Sequence, residues 1–307
     1  MFDLVTVGHF SIDTITATHT TSPKRMLGGP PTYVSLAAAR LGTSVSVVSK
    51  VGEGFPNRYV KWLKAQGVDL SGLQRVKGAS NTQFVLDYTD FKRRLRLKSR
   101  APNISLEDIP TSMRARAIHV APIVNEINQD VFDELRGRTT LLLLDPQGFV
   151  RSFDKQGSVR LKPWEGQQAL EHIDAYKSST EEIEMTTGLK NPRSAMKRIH
   201  DLGVKVVLVT KGVKGSVLLS ENVFYDVPAC RSRVVFDPTG AGDAYSGAFL
   251  AEYLRGKEPL WCACVGAAAA SFVVEGLGPT VFGERRETYA RASEIYEKGI
   301  KRSVAKR

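Results

Sequence analysis

Cysteine is scarce in this sequence: Cys230, Cys262 and Cys264 are the only three in 307 residues. So small and odd a set, without metal-ligand spacing, frames no disulfide scaffold and reads as reduced thiols in a cytoplasmic protein. No apolar run reaches the ~18 residues that would span a bilayer, so a membrane is not an expected partner. Met1 to Gly8 read as a strand and lack the charged start and apolar stretch of a secretory leader. The motif Gly-x4-Gly-Lys-Ser/Thr is also missing, which excludes a P-loop enzyme. Charge is one-sided, with 43 Lys and Arg against 32 Asp and Glu and a net +11. Such an excess attracts polyanions, ATP as well as nucleic acid. It gathers at Lys92 to Arg100 and in the tail from Lys298 to Arg307, the latter read as a solvated, frayed end. No zinc-finger spacing, basic zipper or RNA-binding aromatic motif accompanies it, so nucleic acid is not expected as the main partner.

The most informative stretch runs from Val235 to Leu250, VFDPTGAGDAYSGAFL. It reads as an extended apolar run, a glycine turn and a helix with an acid in its first turn. Gly240 and Gly242 allow close backbone approach to a bound group. The first helical turn leaves N–H groups without intrahelical partners at the positive end of the dipole, a seat for an anion such as phosphate. Asp243 beside that seat can take a proton from a hydroxyl, and base plus cradle is equipment for phosphoryl transfer. The plainer reading, a helix cap after an ordinary αβ loop, fits Gly-x-Gly-Asp taken alone.

Buried-strand patterns at 4–7, 45–51, 117–120, 140–144, 173–176 and 204–210 alternate with helical ones at 32–41, 58–66, 128–136, 180–187 and 194–202. This alternation predicts an α/β fold, a doubly wound and mostly parallel central sheet with helices on both faces. A late alanine-rich helix is expected over 262–275. Two segments, about 10–27 and 80–100, break the pattern. Alternation at Ile12, Thr14 and Thr16, and Leu95 and Leu97 against Arg94, Arg96 and Lys98, fit strands with one solvated face in a small antiparallel sheet. Without repeats or low-complexity linkers, residues 1–307 read as a single domain carrying these two segments as insertions.

The string Asp237-Pro-Thr-Gly-Ala-Gly-Asp243-Ala resembles the signature of the ribokinase/PfkB family of carbohydrate kinases. The resemblance extends over nearly the whole chain. Gly28 and Gly29, opening the first helix with Tyr33, are similar to the family's Gly-Gly segment near substrate hydroxyls. Asp13 matches its early acid, suited to accepting hydrogen bonds from a polyol. Asp145-Pro-Gln147-Gly-Phe-Val-Arg151 resembles a substrate-side segment in which Asn is usual where Gln147 stands. Glu182 takes the place of the acid that orients Mg²⁺ through water, although Ser179 to Glu182 also reads as a helix cap. Thr210, Lys211, Gly212 and Gly215 match a turn beside the nucleotide. Ala267, Ala270 and Gly278 fall in the segment that lines the family's adenine pocket.

The resemblance implies a ribokinase-like fold with a small β-sheet lid, and ATP-dependent phosphorylation with Mg²⁺. Asp243 would be the base, with the N–H groups of Gly240, Ala241 and Gly242 holding the transferring phosphoryl group. Tyr33, where the family usually has Asn, the basic stretch 93–101 and the Gln147 segment together look most like the archaeal myo-inositol kinases. The expected acceptor is therefore a small polyol, myo-inositol first. Another sugar, a sugar phosphate, a nucleoside, or a non-catalytic sensor role are the alternatives. Family analogy also allows a homodimer through the lid.

Overall fold

A computed structural model describes residues 1–16, 22–88, 94–128, 130–232, 234–298 and 300–305. Lys92, Arg93, Lys306 and Arg307, counted among the basic clusters, lie outside the described residues. The buried runs form the centre of a ten-stranded sheet. Its parallel part is, in spatial order, β13 (Val206–Thr210), β12 (Ala175–Ser179), β9 (Thr139–Leu144), β8 (Ala115–Val120), β1 (Phe2–Val7), β4 (Val45–Gly52) and β5 (Val68–Val76). Three antiparallel strands extend the β13 edge: β14 (Ser216–Ser220), β15 (Val223–Val227) and β16 (Lys301–Val304).

Such continuous apolar strands are stable only when covered on both faces. On one side Leu4, Ala117, Leu143, Ala175 and Leu208 pack with α1 (Pro30–Arg40), α6 (Ala241–Tyr253) and α7 (Pro259–Val273). On the other, Val5, Ile118, Leu142, Tyr176 and Val207 meet α3 (Val131–Arg136), α4 (Thr180–Thr187) and α5 (Pro192–Asp201). α2 (Asn57–Ala65) packs near β5, and α8 (Arg285–Glu297) lies against α7. Strand alternation sends Thr6, His119, Asp145 and Lys177 to the α1/α6 face, where a polar row ends beneath the N-terminus of α6.

The two segments that break the α/β pattern form a second sheet ordered β3 (Lys24–Gly28), β2 (Ser11–Thr16), β6 (Thr82–Asp87) and β7 (Arg94–Ser99). It is not wholly antiparallel as expected, because β2 and β6 run parallel; the main-sheet crossover between them returns the chain in the same direction. A hairpin of β10 (Arg151–Phe153) and β11 (Val159–Leu161) borders β7, where Arg96 bridges Ser158 and Leu97 N–H donates to Gly157 O at 2.8 Å.

Three further expectations change. The strand expected at 173–176 runs Ala175–Ser179, so Lys177 and Ser178 lie in the sheet. The tail is not frayed throughout, since Lys301–Val304 pairs with β15 although its side chains stay exposed. The apolar run before Gly240 joins no sheet: Val235 and Phe236 are about half exposed, and Phe236 N–H donates to Val274 O. Among the described residues no helix is long and apolar enough to cross a membrane.

Candidate active site

The parallel strands end in a cleft whose walls come from both sheets, at the carboxyl edge where open α/β sheets place their ligands. Ser11, Asp13, Gly29, Tyr33, Gln147, Arg151, Lys177, Glu182, Thr239, Gly240, Gly242 and Asp243 line about 180 Å³, and Phe84, Leu86, Leu95 and Ile123 supply an apolar wall. A second cleft of about 390 Å³ adjoins it at Thr210, Pro238 and Gly242. Gly212, Val213, Gly215, Val235, Ala241, Tyr245, Ala267, Ala270 and Val274 give that cleft a mainly apolar lining.

The turn between the clefts is built by steric necessity. Gly240 has φ +78°, the left-handed region costly for any residue with a Cβ, and a Cβ there would meet the face of the Tyr33 ring. Tyr33 is thus the buried floor under the turn as well as part of the cleft wall. Burial first, then the charges of Asp13, Asp237 and Asp243, hold its hydroxyl pKa well above the usual value. α6 starts at Ala241, so Gly242 and Asp243 have N–H groups with no helical carbonyl to meet. The N–H of Ala241 differs from expectation: it turns to Pro238 O at 3.3 Å, which closes the turn.

Asp243 is buried in the first turn of α6, and its Oδ1 accepts Gln147 Nε2 at 2.8 Å. Gln147 Oε1 in turn accepts Arg151 at 3.1 Å, and Arg151 stands 3.8 Å from Glu182. Burial, and then the nearby Asp145, push Asp243 up to about 6 despite the counter-pull of Lys177, Gln147 and Arg151. A carboxyl with that value is ionised at neutral pH yet basic enough to take a proton.

Lys177, which sequence reasoning passed over, is a second cation of this cleft beside Arg151, and a buried one. Its Nζ donates to Asp145 Oδ2 at 2.7 Å, and a Cβ on Gly242 would lie 2.8 Å from it. Burial alone would lower its pKa, but Asp145, Asp243 and Glu182 outweigh that and raise it. The local signal for it is a lysine directly after the apolar run that ends at Tyr176, followed by two serines, and the strand continues through it to Ser179.

On the small-sheet wall of the first cleft, Ser11 Oγ donates to Asp13 Oδ1 at 2.7 Å. A Cβ on Gly28 would collide with the Asp13 carboxylate, so Gly28 makes room for that acid while Gly29 itself lines the cleft. Ser179 caps α4 by accepting Glu182 N–H at 3.2 Å, and Glu182 Oε2 accepts Ser179 N–H at 2.8 Å. Glu182 is thus both the acid of the capping box and a cleft-lining carboxylate. Among the described residues no group of three or more His, Cys, Asp or Glu could hold a metal ion. A single carboxylate fits a Mg²⁺ ion that arrives on phosphates and keeps its waters.

Of the residues expected around the nucleotide, Thr210, Gly212, Gly215, Ala267 and Ala270 line the second cleft. Two do not join them. Lys211 points to Asp226 at 3.7 Å, because its N–H closes the 211–215 turn onto Gly215 O. Gly278 lies beside Met26 of β3 and donates its N–H to Asp237 Oδ2 at 3.1 Å.

Comparison with known proteins gives one consistent picture. Residues 1–284 match the sequence model described as pfkB family carbohydrate kinase. The chain is 28% identical over 286 residues to a cytidine kinase of Thermococcus kodakarensis, covering 91% of this chain and 98% of the relative. It is 26% identical to a nucleoside kinase of Methanocaldococcus jannaschii, covering 91% and 92%. Among solved structures, a pyrophosphate-dependent kinase in the ribokinase family, complexed with a pyrophosphate analogue and myo-inositol, superposes with TM-score 0.79 at 24% identity, over 94% of this chain and 99% of the other.

Proposed function

From the premise that the chain belongs to the pfkB family of carbohydrate kinases, enzymes that phosphorylate hydroxyl groups of sugars or nucleosides, we propose that Asp243 is its base and ATP its donor. The observation that carries this reading is the place of Asp243, buried between the two clefts at the start of α6 with its pKa raised to about 6. An acceptor hydroxyl held by Asp13 in the first cleft loses its proton to Asp243 as its oxygen attacks the γ-phosphorus. The new O–P bond forms while the bond to the β-phosphate oxygen breaks, and ADP leaves with that electron pair. The N–H groups of Gly240 and Gly242, with Lys177 beside them, offset the charge on the transferring group without reorganising. Asp243 then releases its proton to water.

Glu182 would hold Mg²⁺ through water, and the ion when bound neutralises phosphate charge. The apolar lining of the second cleft, Ala267, Ala270 and Val274 among it, supports a donor that carries a base over bare pyrophosphate.

For the acceptor, myo-inositol or a similar cyclic polyol is the first reading. Its support is the ring of polar groups in a small cleft, Ser11, Asp13, Gln147 and Arg151, above a floor filled by Tyr33. A second reading, a nucleoside, is favoured by the apolar wall of Phe84, Leu86, Leu95 and Ile123, which suits a base, and by the cytidine kinase relative. Two copies that pair through the small sheet would use its β3 side, because β7 is bridged by the chain's own hairpin.

Acceptor-dependent release of ADP with ATP as donor, or of phosphate with pyrophosphate as donor, measured across polyols, nucleosides and sugar phosphates, tests this. Turnover with myo-inositol supports the first reading, and turnover with a nucleoside alone replaces it. Silence across the panel favours a sensor and removes Asp243 from its role.

A further inference from the structure

We propose that Tyr88 is a positioning residue for phosphoryl transfer: its hydroxyl ties the small sheet to the loop before α6, so that closure over the acceptor sets the anion seat. This rests on reading Gly240 to Asp243 as the transfer site. Tyr88 follows β6 directly, and its N–H donates to Thr16 O at 2.9 Å, which fixes it to the end of β2. Its hydroxyl reaches across the cleft to residues some 150 positions later. It donates to Asp237 Oδ1 at 3.1 Å and lies 2.7 Å from Thr239 Oγ1.

Asp237 is the hub. It is 1% exposed, and its Oδ1 also accepts Thr239 N–H at 2.9 Å. Its Oδ2 accepts Gly278 N–H, and Gly278, at φ +61°, packs against Met26 of β3, where a Cβ would lie 3.1 Å away. The end of β6 thus meets this buried carboxylate directly and β3 meets it through Gly278; the carboxylate fixes Thr239, and the next residue is Gly240 on the Tyr33 ring. Donors already in place when charge develops act without reorganisation, whereas a seat left unset by an open sheet would have to be organised during the reaction. The arrangement links acceptor capture to donor activation and withholds a finished seat from ATP when only water is present.

The test is Tyr88→Phe, which keeps the ring and removes the hydroxyl, with Thr239→Val removing one arm of the same link and leaving the bond to Asp237. Tyr88→Phe is expected to lower kcat about tenfold, leave Tm and the KM for ATP near wild type, and raise ATP hydrolysis relative to transfer. The double variant should be no slower than Tyr88→Phe, since that change already removes both arms of the link. Wild-type kcat and an unchanged hydrolysis ratio in Tyr88→Phe would overturn the proposal. So would a defect confined to acceptor KM, or strictly multiplicative losses in the double variant. Should Tyr88→Phe fail to fold, Thr239→Val alone must show the kcat loss and the raised hydrolysis ratio, and its absence counts against the link. Asp243→Asn measured alongside separates the two readings: if it is inactive while Tyr88→Phe is normal, only the link falls; if it is active, the site assignment falls.

Discussion

At the residue scale the site is a set of buried groups, each with its pKa pulled by opposing influences. Asp243 is raised from 3.8 to about 6 by burial and Asp145, so its carboxylate form is destabilised in the fold. A raised folded-state pKa costs no stability below the unfolded value; the cost grows between pH 3.8 and 6 and is complete above 6. Asp243→Asn should therefore lose about 10²–10⁴-fold in kcat while keeping ATP affinity. It should also gain on the order of 2 kcal/mol of stability near pH 7.5. Thermal melts at pH 7.5 and 4.5 check the sign, since the gain must shrink at the lower pH. For the same reason kcat/KM in the wild-type protein should rise through about pH 6 and level off above it, as a pH–rate profile would record. Lys177 illustrates what single residues hide in a sequence. Its charge reads as a surface feature, and only its buried bond to Asp145 and its closeness to Gly242 place it in the cleft.

At the element scale, α6 does two jobs, presenting its first turn to the clefts and packing its middle on α1. Gly247 is where the two helices approach, and a Cβ there would strike Val34 O. Gly247→Ala should push the helices apart and cost about 2 kcal/mol, with a matching fall in kcat because the turn at Gly240 moves with α6. A melt and an activity assay on one preparation would register both. The alternation of strands and helices was legible locally because period and composition are local properties. The parallel pairing of β2 with β6 was not, since nothing in Ser11–Thr16 or Thr82–Asp87 records which neighbour each strand meets. The limits of β12 were misread for a related reason: Ser178 and Ser179 look like a cap, and Ser179 is one, but it also closes the strand.

At the scale of the whole molecule, the site lies where two sheets and two clefts converge, and distant segments complete it. Asp13, Gln147, Lys177 and Asp243 come from four separate parts of the chain yet line one cleft. The C-terminal segment has the opposite character. It falls beyond the family match at residue 284, and β16 covers the outer edge of β15, with Ala305 N–H on Asn222 O. Removing residues 300–307 should expose a strand edge, lower Tm by a few degrees and leave kcat unchanged, because the segment is remote from both clefts. Differential scanning calorimetry and steady-state rates on the truncated chain test this. A large fall in kcat would show that the edge strand supports the site.

The sequence by itself determined the fold class and the reaction. Apolar periodicity names strands and helices, and a contiguous string such as Gly240 to Asp243 carries its own backbone chemistry wherever it is placed. Tertiary structure alone decided what surrounds that string. It made Tyr33 a floor as well as a wall, drew Lys177 beside Gly242 and kept Lys211 and Gly278 out of the second cleft. It also brought Tyr88 across the cleft to Asp237. Those outcomes depend on contacts between residues far apart in the chain, and on the burial that gives a hydrogen bond or a charge its strength.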